Sequence, residues 1–289
     1  MKVTDRYAQP AQGLVVISDF TPPRGGDPSA VDRVRGLNAD FICVAYNPGK
    51  LVRADPVAAA VAIRDRVGTD VAFNLATRDM NRVALGTRLL GAQMLGVQNV
   101  VILRGDPFME RELARAPVRS VDDCTPTDLI RDARALNEGL DYRGSTLRAA
   151  ADLCIGATLD LGRDLESEAR LAARKVEAGA EFFLTQPFYD LERRSRFLEL
   201  FEAAFGTTLD RPVFWGLQVL DKDGIVLGDV PPCVTEELER GRPGSEIAAE
   251  GLQRYVDAGI RGVYLVPPIL RGGARDYEAA QRVLETVGR

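Results

Sequence analysis

Three acids, two arginines and two amides stand where short apolar runs of this sequence give way to polar residues. Asp19 interrupts VVISDF, Arg78 and Asp79 follow FNLAT, and Arg104, Gly105 and Asp106 follow VVIL. Asn74 lies inside its own run, Gln186 follows FFLT, and Gln218 follows FWGL. Carboxylates moved away from water are costly unless paired or used. Gathered round one cavity, this set suits a polar, planar heterocycle with amide-like edges. Spread carboxylates also suit Mg²⁺, a weaker reading; no metal site is expected. Asp79 precedes a helical segment and is expected to cap it. Arg104 has Asp106 or Asp79 as a natural partner, and Gln186, beside Pro187, could satisfy backbone. Asp19 has no local capping task between its hydrophobic neighbours, which makes it the strongest functional candidate. The chain contains no histidine. Ser-His-Asp triads, Cys-His pairs, imidazole bases and His-containing zinc sites are therefore excluded.

The elements that must hold these residues recur with a β-α rhythm. Eight runs read as strands: GLVVISDF from Gly13, ADFICVAY from Ala39, DVAFNLAT from Asp70, NVVILRG from Asn99, LCIGATLD from Leu153, EFFLTQPF from Glu181, PVFWGLQVL from Pro212 and GVYLVPP from Gly262. Near-continuous apolar character fits strands buried on both faces of a parallel sheet. Between them lie segments with helical spacing, such as PVAAAVAIRDRV from Pro56, NRVALGTRLLGAQML from Asn81, LESEARLAARKVEAG from Leu165 and SEIAAEGLQRYVDAG from Ser245. Asp164 is placed to N-cap its helix, and Gly96, Gly179 and Gly259 to stop theirs. Eight such units predict an α/β fold, a (β/α)₈ TIM barrel over residues 1–289 read as one domain. Longer connections follow the fourth and seventh strands. The first, roughly 107–150, holds a helical piece around Thr127–Asn137, and the second holds the loop-like LDKDGIVLGDVPP. An open doubly wound sheet is the alternative, but no GxGxxG opens a βα unit. In a barrel the strand C-termini form the active site, which is where every polar candidate above falls.

Composition narrows the class further. Thirty-seven Lys and Arg against forty-two Asp and Glu leave a formal charge of −5, without a basic stripe. Neither nucleic acid nor an anionic membrane is an expected partner. No apolar run reaches the ~18 residues of a membrane span, and MKVTDRYAQPAQ lacks a signal-peptide core, so a cytoplasmic location is expected. Cys43, Cys124, Cys154 and Cys233 lie far apart without a CxxC, so neither disulfides nor a Cys₄ metal site are expected.

Several segments in order resemble the methylenetetrahydrofolate reductase family: DFTPPR with Asp19, ATRDMNR from Ala76 to Arg82, GVQNVVILRGDP from Gly96 to Pro107, and RKVEAGAEFFLTQPFYD from Arg174 to Asp190. GVYLVPP is similar to the family's late barrel strand. The resemblance implies an eight-stranded barrel that reduces 5,10-methylenetetrahydrofolate to 5-methyltetrahydrofolate, with NADH or NADPH supplying hydride through FAD. It implies catalytic roles for Asp19 as proton donor and Asp106 beside the cationic iminium, with Gln186 contacting the pterin and Gln218 also substrate-facing. Asn74, Arg104, Gly105, Asp106, Glu168, Arg174 and Lys175 take the FAD positions. The sequence departs from the family where Asp19 replaces Glu, Asn74 replaces His, Ala45 replaces Thr, and Thr158-Leu159 replaces Tyr-Pro. Several flavin contacts are thereby altered together, and direct hydride transfer from nicotinamide is the other route. A small-molecule folate is the expected partner, and a homo-oligomer is compatible with the sequence. A non-catalytic folate-binding homologue or a subunit of a larger redox complex is the competing reading. A Schiff-base aldolase is disfavoured because no strand ends in Lys.

Overall fold

The structure, a computed structural model, describes residues 1–9, 13–114 and 117–289. Its strands are β1 (Val15–Phe20), β2 (Phe41–Val44), β3 (Asp70–Ala76), β4 (Asn99–Leu103), β5 (Cys154–Leu159), β6 (Phe182–Pro187), β7 (Val213–Gln218) and β8 (Gly262–Val266). They close in sequence order into a barrel, with β8 pairing back on β1 in parallel. Each expected apolar run contains one strand, and the chain is a (β/α)₈ barrel.

Alternation along each strand sorts side chains between two cores. Val16 and Phe20 face outward into the layer beneath the helices. Val15 and Ile17 face inward with Phe41, Cys43, Ala72, Val101, Cys154, Phe182 and Phe214. The interior is filled rather than porous. Gly156 on β5 leaves its place to the Phe182 ring, since a Cβ there would lie 2.3 Å from that ring.

The surrounding helices include α1 (Val3–Tyr7), α2 (Pro56–Val67), α3 (Arg82–Met94), α4 (Glu110–Leu113), α5 (Pro126–Asn137), α6 (Leu165–Ala178), α7 (Leu191–Phe205), α8 (Pro232–Glu239), α9 (Gly244–Asp257) and α10 (Tyr277–Glu285). Asp164 caps α6 by accepting from the Ser167 N–H at 2.9 Å, and Gly179 ends it with φ 119°. Asp79 does not cap α3. Asn81 does, accepting from Ala84 N–H at 2.9 Å, because it directly precedes the first helical residue. Long connections follow β4 and β7, and the second contains α8, whose opening Pro231-Pro232 pair reads as loop in the sequence.

The N-terminal end of the barrel is plugged by α1, which the apolar pattern did not announce. Val3 is fully buried against the inner core. Its backbone N–H donates to Asn99 Oδ1 at 2.9 Å, while Asn99 Nδ2 donates to the Met1 and Val71 carbonyls.

Candidate active site at the barrel mouth

At the opposite end, inward-facing residues lose their cover. Asn74, Leu103, Thr158 and Tyr264 are half-buried and Gln186 is exposed, whereas their outward neighbours on the strands are buried. The floor of the mouth therefore mixes two amide side chains, two hydroxyls and one aliphatic group.

Asp19 sits at this floor with only 5% exposure. One carboxylate oxygen accepts from the Tyr264 hydroxyl and the other from Arg275 Nε, both at 2.9 Å. Sequence reasoning placed Asp19 among hydrophobic neighbours alone. The structure adds a guanidinium and a phenol, one on each of its oxygens. Burial, and then the charge of Asp19, pushes the Tyr264 phenol far above its ordinary value, so it stays a donor. Neither partner was anticipated. A lone Tyr at an inward position of GVYLV is a usable signal, but Arg275 rides on the loop after β8 without any spacing to mark it.

The β3–β4 corner is built on Arg78, which is 4% exposed. It clasps Asp79 through two hydrogen bonds of 2.5 and 2.6 Å and donates to the Asp106 carbonyl at 2.7 Å. Its guanidinium also lies 4.4 Å from the centre of the Phe108 ring. Burial, with the Asp79 charge and hydrogen bond behind it, pushes the Tyr46 phenol up to about 12. Asp79 thus braces the corner. Gly105 makes the turn with φ +88°, and a Cβ there would come within 3.3 Å of Ala76 and Arg78. Arg104 takes neither expected partner. It is exposed and lies 3.7 Å from Asp122. The Asp106 side chain is exposed at the rim, without a side-chain hydrogen bond among the described residues. Cys43 donates its S–H to Asn74 Oδ1 at 3.3 Å.

The two glutamines part company. Gln186 stands open at the end of β6, where the pairing register shifts between Leu184 and Pro187. That shift is possible because Gly216 faces it; a Cβ there would lie 2.7 Å from the Gln186 carbonyl. Gln218 is 2% exposed and both ends of its amide are engaged. It donates to the Ile225 carbonyl and accepts from Leu227 N–H, each at 2.8 Å. Both bonds tie it to the loop after β7.

The positions that the resemblance assigned to FAD are likewise divided. Asn74, Arg104, Gly105 and Asp106 line the mouth. Glu168 and Lys175 instead lie buried in the seam between β5 and α6. Lys175 Nζ donates to the Thr158 carbonyl at 2.5 Å, and Glu168 accepts from Asp160 N–H at 3.1 Å. Burial raises the Glu168 carboxyl and lowers the Lys175 ammonium, each partly offset by the other's charge. Arg174 points to solvent from α6. Glu168, Arg174 and Lys175 are therefore not gathered at the mouth with the other four. No group of three or more His, Cys, Asp or Glu among the described residues could hold a metal ion. Nor is any described helix long and apolar enough to cross a membrane.

A closed parallel barrel with polar residues converging at its strand C-termini defines the class: a (β/α)₈ barrel with an enzyme-type mouth. Residues 5–220 match the family model for methylenetetrahydrofolate reductase, and the chain belongs to that family. It is 26% identical over 195 residues to the 5,10-methylenetetrahydrofolate reductases of Salmonella typhimurium and Escherichia coli, covering 64% of this chain and 59% of those proteins. The enzyme of the same name from Pectobacterium carotovorum is 27% identical over the same length. The matched stretch spans less than two thirds of these relatives. Among solved structures, an uncharacterized protein from Clostridium thermocellum, described as binding two copies of 5-methyl-5,6,7,8-tetrahydrofolic acid, superposes with a TM-score of 0.61 at 12% identity. That likeness covers 95% of this chain and 93% of the other, and it speaks for the fold.

Proposed function

We propose that this protein reduces a methylene-bridged tetrahydropterin of the 5,10-methylenetetrahydrofolate type to its 5-methyl form, with NADH or NADPH as hydride donor. The observation that carries this reading is the family match together with a buried acid at the end of β1, Asp19, facing the same mouth as the open Gln186. In the reaction the bond between the methylene carbon and N10 breaks, N10 takes a proton, and the N5 iminium cation accepts hydride at carbon. The nicotinamide leaves oxidised.

Each mouth residue has a task in this scheme. Gln186 offers a donor and an acceptor to the amide-like edge of the pterin. Asp106 places a negative charge at the rim, where it favours the iminium over the closed ring. Asp19 handles the proton delivered to N10, with Tyr264 and Arg275 fixing its position. Because Glu168 and Lys175 are engaged in the β5–α6 seam, we take hydride transfer to be direct, from nicotinamide to the iminium carbon. FAD remains the alternative relay, and Asn74, Arg104 and Gly105 would meet it.

The deciding assay follows loss of the reduced-nicotinamide absorbance on adding methylenetetrahydrofolate, with flavin stripped and with FAD supplied. Substrate-dependent oxidation that FAD does not stimulate is the expected result. Oxidation only with FAD would restore the flavin route. Folate binding without turnover under either condition would overturn the reductase and leave a binding homologue.

A further inference from the structure

In the layer outside the strands, the start of α7 and the middle of α9 leave a cleft between them. Its volume is about 200 Å³. Phe188, Leu217 and Tyr255 form its apolar interior, and Asp190, Glu192 and Arg254 stand exposed at its edge. Gly251 keeps the α9 side open, since a Cβ there would lie 3.1 Å from Leu217 Cδ1.

Two tyrosines line the cleft, and only one hydroxyl is used. That of Tyr255 is shared between the Phe188 and Gly216 carbonyls, 3.0 Å from each. The Tyr189 hydroxyl is buried and has no hydrogen-bond partner among the described residues. A buried donor left unpaired carries the full cost of its desolvation. Burial pushes the Tyr189 phenol far above its ordinary value, so the group stays a donor.

The charges at the edge are likewise uncommitted. Arg254 forms no ion pair among the described residues, because the acids one turn before and after it are taken. Glu250 pairs with Arg242, and Asp257 accepts from Gln253 Nε2 at 2.8 Å. Asp190 accepts from Glu192 N–H at 2.8 Å, but neither acid meets a cation among the described residues. Tyr189 and Arg254 line both this cleft and a narrower space beside it, next to Ile247, so one ligand group can meet the two together.

We propose that the cleft binds a free α-amino acid with an apolar side chain. The side chain enters among Phe188, Leu217 and Tyr255, the carboxylate takes Arg254 and the Tyr189 hydroxyl, and the ammonium faces Asp190 and Glu192. Apolar walls select an apolar body. Unpaired charges of both signs at one edge select a zwitterion over a simple anion, which the two carboxylates would repel. The volume is below the ~300–1,000 Å³ of pockets that enclose drug-sized ligands, so neither a pterin nor a dinucleotide fits. The cleft lies behind the strands and not in the mouth, so it is independent of the reductase reading.

Trp215, the only tryptophan of the chain, is a local reporter, because its ring centre lies 5.7 Å from that of Phe188. L-leucine and L-phenylalanine are titrated while Trp215 fluorescence and binding heat are followed. Isopentylamine, which lacks the carboxylate, and N-acetyl-L-leucine, which lacks the ammonium, are titrated beside them. The expected result is saturable binding of an amino acid at millimolar concentration or below, about tenfold tighter than either one-charge analogue. Arg254→Gln, at an exposed position that leaves the fold intact, should weaken it about tenfold, and Tyr189→Phe, which keeps the ring, about threefold. Absence of binding by both amino acids overturns the proposal. So does either one-charge analogue binding as tightly as leucine. Amino-acid binding that Arg254→Gln leaves unchanged overturns it as well, since the ligand then sits elsewhere.

Discussion

The two ends of this barrel handle buried charge in opposite ways. At the N-terminal end, Asp40 accepts from Arg6 Nε at 2.7 Å, from Val16 N–H at 2.8 Å, and from both Arg289 terminal nitrogens at 2.5 and 3.0 Å. Asn99, at the same end, uses its carbonyl and both amide hydrogens on backbone. At the C-terminal mouth, Asp106 and Gln186 reach toward solvent. Polar groups satisfied within the chain serve closure, because nothing further can bind without breaking them. Groups presented without partners on a rigid rim are available to a ligand. Asp19 is the exception at the mouth, since it is both buried and paired, and it lies where the two kinds of site meet.

The largest expected effect comes from that exception. Asp19→Asn should lower turnover of methylenetetrahydrofolate by roughly 10²–10⁴-fold, the range of positioned acid–base catalysis. Asp19→Glu should recover most of it, because the family carries the longer acid there. Near wild-type rate in a folded Asp19→Asn protein would move Asp19 to the structural side of the comparison.

Asp40→Asn should do the reverse, costing stability while leaving kcat near wild type. Breaking a largely buried ion network by removing its central charge costs on the order of 3 kcal/mol. The effect should depend on pH in a defined direction. Burial pushes the Asp40 carboxyl up, but hydrogen bonds from Arg289 and Val16 and the charges of Arg289 and Arg6 outweigh it, leaving it below the ordinary 3.8. Its contribution is therefore complete above that value and is lost as pH falls through 3.8 and then through the depressed native value. Urea unfolding of both proteins from neutral to acid pH checks this, and a gap that does not narrow in acid would contradict it.

The smallest effect belongs to Asp106→Asn. An exposed charge about 4 Å from a cation in water is worth only ~1 kcal/mol, hence about a fivefold slower reduction of the folate. A loss of a hundredfold or more would mean that bound substrate dries the rim and strengthens the interaction. Unchanged kinetics would leave Asp106 as a turn residue.

Much of the scaffold was legible because its signals are local. Asp164 and Gly179 bracket α6 as residues of their types do almost anywhere, and GVYLV needs no neighbour to read as a strand. The site was legible in part, and the contacts that the sequence did not reveal share a cause. Asp79 looked like a helix cap because it is acidic and precedes a helix, yet Arg78 is adjacent and closer to its oxygens. Gln218 looked like a ligand contact because it ends a strand, but only the path of the loop to Ile225 and Leu227 reveals what its amide holds. Lys175 looked like a phosphate ligand, but the phase of α6 turns it toward the Thr158 carbonyl.

By itself the sequence determined the number and order of β-α units, the parallel barrel, the absence of imidazole chemistry and the end at which the polar candidates gather. These follow from periodicity, composition and turn residues, each set within a few neighbours along the chain. Only tertiary structure decided which charges meet. Arg275 reaches Asp19 across 256 positions and Arg289 reaches Asp40 across 249. Both pairs exist because β8 closes onto β1. An ion pair formed by closure leaves no periodic trace in the chain, since its partners are set by where the ends of the sheet join and not by what lies beside them in sequence.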